Sequence, residues 1–312
     1  MYASHYNLRG RPFQLSPDHR FYFPSRGHKK AMAYLTYGMN ERDGFIVITG
    51  HVGAGKTTIV GHLLSQIDDS KFVSANIVTT QLGSDDTLRM VARAFGLPAE
   101  DRDKASILKD IETFLIARRS EGKHVVLVID EVQNMPLDAI EELRMLSNFQ
   151  MDNRPLVQCF LLGQPEFRGK LAQPEMEQIR QRVIATCHLE PLGRDETKGY
   201  IEHRLKLVGW TGDPEFTDAA FDEIHQVTDG VPRRINALCG RLLLYGSLED
   251  AHVIDEDVVQ DVAREIAEEA GGGQQPAPKV VAGNGLLAGI APASRESLAD
   301  LDRRVAQLRG TA

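Results

Sequence analysis

Residues 50–57 read Gly50-His51-Val52-Gly53-Ala54-Gly55-Lys56-Thr57. Glycines accept backbone angles that other residues resist, so successive N–H groups here can converge on one anion. The apolar run Phe45-Ile46-Val47-Ile48 comes before, and a helical-looking segment from Ile59 to Gln66 comes after. Strand, glycine-rich loop and helix in that order are the context of a phosphate-binding P-loop. The start of the helix adds unpaired N–H groups and a positive dipole end. Lys56 is placed to reach the β- and γ-phosphates of ATP, and the Thr57 hydroxyl to ligate Mg²⁺. With Thr58, the expected nucleotide-binding stretch runs from Gly50 to Thr58.

A second group supports hydrolysis as well as binding. The apolar run Val125–Ile129 ends in Asp130-Glu131. A carboxylate at the end of a parallel strand beside a P-loop is where the metal needs a ligand, so Asp130 is the expected metal residue, with Thr57. Glu131 is then the expected base that orients or deprotonates the attacking water. Gln164 follows the run Leu156–Leu162 and could contact that water. Arg180 and Arg182 precede another strand-like run, and Arg233 lies in Gly230-Val231-Pro232-Arg233-Arg234. Positive charge near a γ-phosphate stabilises its transition state, although a surface salt bridge accounts equally well for Arg180 or Arg182 alone.

These residues need a sheet beneath them. Apolar runs at 45–48, 72–78, 125–129, 156–162 and 183–189 alternate with helical patterns at about 25–39, 84–96 and 103–120, and with one opened by Pro136. The alternation predicts an α/β domain with a mainly parallel sheet. Ser84 is expected to cap its helix. Beyond Pro191 the strand signal stops, and four helical segments follow near 194–208, 215–228, 231–247 and 255–269. The expected organisation is a lead-in at 1–44 packed on the ATPase core, an α/β domain at 45–191 and a small all-helical domain at 192–269. A glycine- and proline-rich linker follows at 270–292, then a short amphipathic helix at 293–312. Leu298, Leu301, Val305 and Leu308 give that last segment a stripe suited to docking or self-association. The aromatic trio Phe21, Tyr22 and Phe23 either lies near the bound base or closes the edge of the core.

Composition narrows the class. The chain has 312 residues, 36 Lys+Arg against 44 Asp+Glu, and a net charge of −8. That field does not favour nucleic acid. Cys159, Cys187 and Cys239 are widely spaced in apolar surroundings and read as core residues of a reducing compartment. His188 beside Cys187 lacks metal-ligand spacing. No basic-then-apolar leader and no run of 18 apolar residues occur, so the expected location is cytoplasmic, with docking on a membrane complex allowed.

Taken together, Gly50–Thr57, Val125–Glu131, Gly163-Gln164-Pro165-Glu166, Ile179–Val183 and Gly230–Arg233 resemble an AAA+ ATPase. More narrowly, the chain resembles the general secretion pathway protein A family, and within it the ATPase associated with exosortase (PEP-CTERM) and exopolysaccharide loci. The likeness is carried by Met1-Tyr2, Arg11-Pro12-Phe13, Ser25–Lys30, Gly44–Gly50, Leu143–Gln150 and Pro232–Asn236. It implies a three-layer sandwich with the AAA+ strand order and a helical lid. It also implies that Gln164 is sensor 1, Arg182 an arginine finger and Arg233 the lid's sensor 2. The implied activity is ATP hydrolysis with Mg²⁺, in a self-associating protein partnered by a membrane-associated secretion or polysaccharide-export component. A DNA-associated regulator of the transposition or replication-loader type is the alternative, because it shares the same core motifs.

Overall fold

The computed structural model describes residues 2–41, 44–78 and 83–269; the linker and terminal helix expected beyond them lie outside this range. In chain order the elements are α1 (Tyr2–His5), α2 (Arg26–Glu41), β1 (Phe45–Gly50), α3 (Lys56–Gln66), β2 (Phe72–Val78), α4 (Ser84–Ala94) and α5 (Lys104–Ser120). They continue with β3 (His124–Asp130), α6 (Leu137–Leu146), β4 (Gln150–Met151), β5 (Arg154–Pro155), β6 (Val157–Gly163), α7 (Glu166–Leu171), α8 (Glu177–Arg180) and β7 (Val183–Leu189). The last group is α9 (Arg194–Leu207), β8 (Glu215–Phe216), α10 (Asp218–Thr228), α11 (Pro232–Leu248), β9 (Val253–Ile254) and α12 (Glu256–Glu269).

The main sheet runs β2-β3-β6-β1-β7 with every neighbouring pair parallel. Its central strands are mostly apolar because both faces are covered, and the buried Gln158 of β6 donates its amide to the Gly44 carbonyl at 3.1 Å. Alternation along β3 assigns the sides: Val125, Leu127 and Ile129 join a cluster with Leu88, Ile111 and Leu143 of the helices α4, α5 and α6. Val126 and Val128 point the other way, to Leu35 of α2 and Ile59 of α3. The result is a helix–sheet–helix sandwich in which all five strands deliver their C-terminal ends to the same edge. β1 ends there in the P-loop and β3 in the acidic pair.

The helical part, α9 to α12, has its own core around Ile201, Leu205, Ile224, Leu238 and Leu242. Two details depart from the sequence expectation. The segment is not all-helical, since β8 and β9 form a short parallel pair that ties the start of α10 to the start of α12. The lead-in is divided as well: α2 packs on the sheet, whereas Tyr6, Leu8, Phe13 and Phe21 are buried in the helical cluster. These apolar residues are scattered through a non-periodic segment, so the sequence pattern could not say which core would receive them. At the start of α4 the capping position falls on Gly83, and Ser84 is the first helical residue. The β4–β5 hairpin, turning through Asp152 and Asn153 at positive φ, is too short to leave an alternating pattern.

Candidate functional site

The P-loop is shaped by two glycines in left-handed backbone. Gly53 has φ 80° and Gly55 φ 93°, and each is also pressed by a neighbour. A Cβ on Gly53 would lie 2.2 Å from Arg233 Cβ, and one on Gly55 would lie 2.7 Å from His28 Nε2. Conformation and space therefore both demand glycine. α3 starts directly after this turn, so its first N–H groups open toward the loop.

Lys56 is buried, and its ammonium donates to the carbonyls of Gly50 at 2.7 Å and His51 at 3.2 Å. Burial pushes its pKa below the usual lysine value, while Glu131, Asp130 and Glu166 pull it back up. Thr57 Oγ1 donates to Asp130 Oδ2 at 2.6 Å, bringing together two side chains 73 residues apart. A hydroxyl and a carboxylate meeting beside phosphate-binding N–H groups form an oxygen donor set that fits Mg²⁺.

Glu131 has a left-handed backbone, φ 58°, and its N–H donates to Asp130 Oδ1 at 2.9 Å. Its carboxylate accepts from Gln133 Nε2 at 2.5 Å and Gln164 Nε2 at 3.1 Å, both on Oε2. Gln133 Oε1 in turn accepts the backbone N–H of Gln164 at 2.9 Å, so the two amides brace each other and the acid. Burial alone would raise the Glu131 pKa. The bonds from Gln133 and Gln164 and the charge of Lys56 outweigh it, and the group stays below its ordinary 4.5.

The loop opens into a cavity of about 280 Å³ whose lining includes Lys56, Thr57, Glu131 and Arg233. The lead-in forms the facing wall through Gln14–Asp18 and Tyr22. Tyr22 stacks on His62 of α3 with ring centroids 4.1 Å apart. All three aromatics of the trio line the cavity, and Phe21 is also buried in the helical core. The lid closes the third side. The backbone N–H of Arg233 donates to Gly53 O at 3.2 Å, whereas Arg234 turns away to Asp229 and the Val227 carbonyl.

Not every expected residue converges here. Arg182 precedes β7, and the register Phe45↔Val183 to Gly50↔Leu189 puts it at the opposite end of the sheet from its own P-loop. It reaches the Ser147 carbonyl at 3.3 Å. Arg180 is held by Glu177 and donates to the Leu171 carbonyl at 3.1 Å.

The structure adds residues that sequence reasoning did not single out for the site. His28 is buried under Gly55, with Nδ1 2.7 Å from Ser25 Oγ, and burial lowers its pKa against a backbone bond to Ala54. Gln133 could have been noticed as the second residue after Glu131. Arg204, buried between domains of the sequence, donates to Pro12 O at 2.6 Å and Tyr200 Oη at 2.8 Å and lies 4.5 Å over the Phe21 ring. Nothing in its helical surroundings distinguished it from a solvated arginine.

Comparison with known proteins agrees with this geometry. The family described as AAA domain matches residues 39–171. Over 268 residues the chain is 34% identical to general secretion pathway protein A of Aeromonas hydrophila, covering 86% of this chain and 49% of that protein. It is 24% identical over 210 residues to an uncharacterized HTH-type transcriptional regulator of Methanocaldococcus jannaschii, covering 66% of this chain and 47% of the relative. The chain therefore spans about half the length of the curated relatives it matches. Among solved structures, the Aeropyrum pernix ORC2 protein in its ADPNP-ADP complexes superposes with a TM-score of 0.61 at 16% identity, over 76% of this chain and 66% of that one. Cdc6p of Pyrobaculum aerophilum gives 0.61 at 16% identity, over 84% and 73%. The RuvB Holliday junction branch migration motor of Thermotoga maritima gives 0.50 at 20%, over 78% and 70%. At these identities the structural likeness is one of fold.

A parallel sheet ending in a P-loop and an acidic pair, capped by a helical lid, defines an AAA+ P-loop ATPase. Within that class, the chain is related to general secretion pathway protein A.

Proposed function

We propose that the chain binds MgATP at Gly50–Thr58 and hydrolyses it to drive or regulate assembly of an envelope system. The system would be one of exopolysaccharide export or of exosortase (PEP-CTERM) protein sorting. The single observation that carries hydrolysis is the braced carboxylate: Glu131 is fixed by Gln133 and Gln164 in the wall of the cavity that Lys56 lines. In this reading Lys56 leaves the Gly50 and His51 carbonyls for the β- and γ-phosphate oxygens. Thr57 and Asp130 would hold Mg²⁺, which would supply positive charge beside the phosphates. Glu131 accepts the proton of the attacking water while Gln164 keeps the acid aimed. Arg233 adds positive charge from the lid of the same subunit, and Arg182 from a neighbouring subunit. The test is Glu131→Gln, which keeps shape and removes the basic oxygen. MgATP should still bind, and turnover should fall by about 10² to 10⁴. Turnover at the parent rate would overturn the assignment.

The 34% identity to general secretion pathway protein A supports the secretion-related side of this reading; the exopolysaccharide and exosortase side rests on the motif resemblance alone. The partner would be a membrane-associated secretion or export component. The proposed place of action is the cytoplasmic side; separately, no helix among the described residues is long and apolar enough to cross a membrane. A second reading, a DNA-associated regulator, is favoured by the name of the relative described as an HTH-type transcriptional regulator. The net charge of −8 weighs against it. A gel shift with duplex DNA that weakens steeply with added salt would select the second reading; no shift at low salt would remove it.

A further inference from the structure

Away from the nucleotide cavity, three residues from separate parts of the chain meet around one point. His5, at the end of α1, faces Asp250 and His252 from the turn between α11 and β9. One ligand atom from each lies within 4.8 Å of the others. Tyr6 holds this junction together by donating its hydroxyl to the Ala251 carbonyl at 2.8 Å.

Two details point to a ligand. His5 Nε2 is shielded from solvent and has no hydrogen-bond partner among the described residues. Its nearest carboxylate oxygen, Asp250 Oδ1, is 3.8 Å away, beyond hydrogen-bond reach. A buried ring nitrogen left so is unusual in a folded protein. His252, in contrast, is already oriented: Asp213 Oδ1 lies 2.7 Å from its Nδ1. In the neutral ring with its proton on Nδ1, donated to that carboxylate, the lone pair is on Nε2. A carboxylate behind an imidazole is the usual support of a metal-bound histidine. The two rings stack at 21° with centroids 5.5 Å apart.

We propose that His5, His252 and Asp250 form a binding site for a divalent transition metal of the zinc type, with Asp213 as the outer carboxylate. Two nitrogens and one carboxylate oxygen suit zinc and leave a fourth position for water, whereas Mg²⁺ and Ca²⁺ prefer all-oxygen sets. Ligand atoms around tetrahedral zinc are roughly 3.3 Å apart, from bond lengths near 2.0–2.1 Å. The group must therefore close by up to about 1.5 Å, and Asp250, with its side chain 87% exposed, is free to move. Cys159, Cys187 and Cys239 are buried in apolar clusters and offer no competing thiolate. The site would staple the N-terminal segment, which also lines the nucleotide cavity through Gln14–Asp18, to the helical domain.

The experiment uses the full-length chain without an affinity tag, stripped by chelator and free of nucleotide. It is titrated with ZnCl₂ alone and followed by calorimetry and thermal unfolding. One zinc per chain and a higher Tm are expected. His252→Gln and Asp250→Asn change exposed side chains and should fold normally; each should weaken zinc binding at least tenfold and cancel the Tm shift. His5→Ala should do the same, and Asp213→Asn should cost about 10- to 100-fold. No saturable zinc binding by the parent protein would overturn the proposal. So would unchanged binding by His252→Gln, or displacement of zinc by equimolar MgCl₂.

Discussion

Glu131 is surrounded by groups that favour its charged form. With its pKa held below the ordinary 4.5, the acid is ionised across the neutral range and for some distance below it. The activity limb due to this residue should therefore appear only on the acid side of that value. Gln164→Ala removes one of the two donors, and the limb should move upward in pH, as measured by kcat against pH. His28 works in the opposite sense. Its folded pKa lies below the ordinary 6.5, because burial penalises the cation. As pH falls through 6.5, the unfolded chain takes up the proton first, and the stability that depends on neutral His28 is lost. Urea midpoints should fall between pH 7.5 and pH 5.5, and less steeply in His28→Asn. His188 and His203 are shifted the same way by burial and should retain part of the slope in that variant.

At the scale of elements, Arg204 of α9 is the joint between the lead-in and the lid. Its guanidinium is buried, donates to the Pro12 carbonyl and the Tyr200 hydroxyl, and covers the Phe21 ring. Tyr200 passes the connection on to Asn236 of α11, whose amide donates to the Gln14 carbonyl. Arg204→Ala strands the Pro12 carbonyl in a desolvated position and should cost about 2–3 kcal/mol in denaturant unfolding. Because Gln14 and its neighbours wall the nucleotide cavity, KM for ATP should rise more than kcat falls. Loss of stability with an unchanged KM would make Arg204 a core residue only. The sheet gives a simpler expectation. Leu127, fully buried in the central strand β3, should cost about 2–5 kcal/mol as Leu127→Ala.

For the whole molecule, the decisive geometry is the length of the sheet. The seven residues of β7 separate Arg182 from the P-loop edge, roughly 23 Å at about 3.3 Å per residue. Arg182 is too far to reach its own γ-phosphate; it lines a surface with Gly44 and Gln150, and the proposed role is that from there it leaves Ser147 and acts on another subunit's nucleotide. An arginine supplied in this way contributes about 10³ to 10⁵ in rate. Activity should then rise more than linearly with protein concentration. Arg182→Ala and Glu131→Gln, each nearly inactive, should recover part of the turnover when mixed, because some interfaces pair both intact residues. Arg180→Ala is the control, and with its guanidinium already engaged by Glu177 and Leu171 it should retain activity. No recovery on mixing, with a monomeric mass in the presence of ATP, would return Arg182 to a structural role.

The sequence by itself determined the features that depend on local order. Glycine spacing and a following helix mark Gly50–Thr57 because anion binding needs consecutive backbone N–H groups. Apolar runs mark β1, β3 and β6 because strands covered on both faces carry few polar side chains, Gln158 of β6 being one. The end of the main sheet before residue 191 was equally legible, as a change of period. Tertiary structure decided everything that depends on distant parts meeting. That Thr57 and Asp130 share a hydrogen bond, that Gln133 and Gln164 grip one carboxylate, and that His28 fills the space left by Gly55 are consequences of strand order and helix packing. The same holds for the lead-in, whose Tyr6, Phe13 and Phe21 chose the helical core over the sheet. Hydrophobicity drives burial without naming a partner. Which surface an aromatic residue covers is fixed only when both surfaces exist.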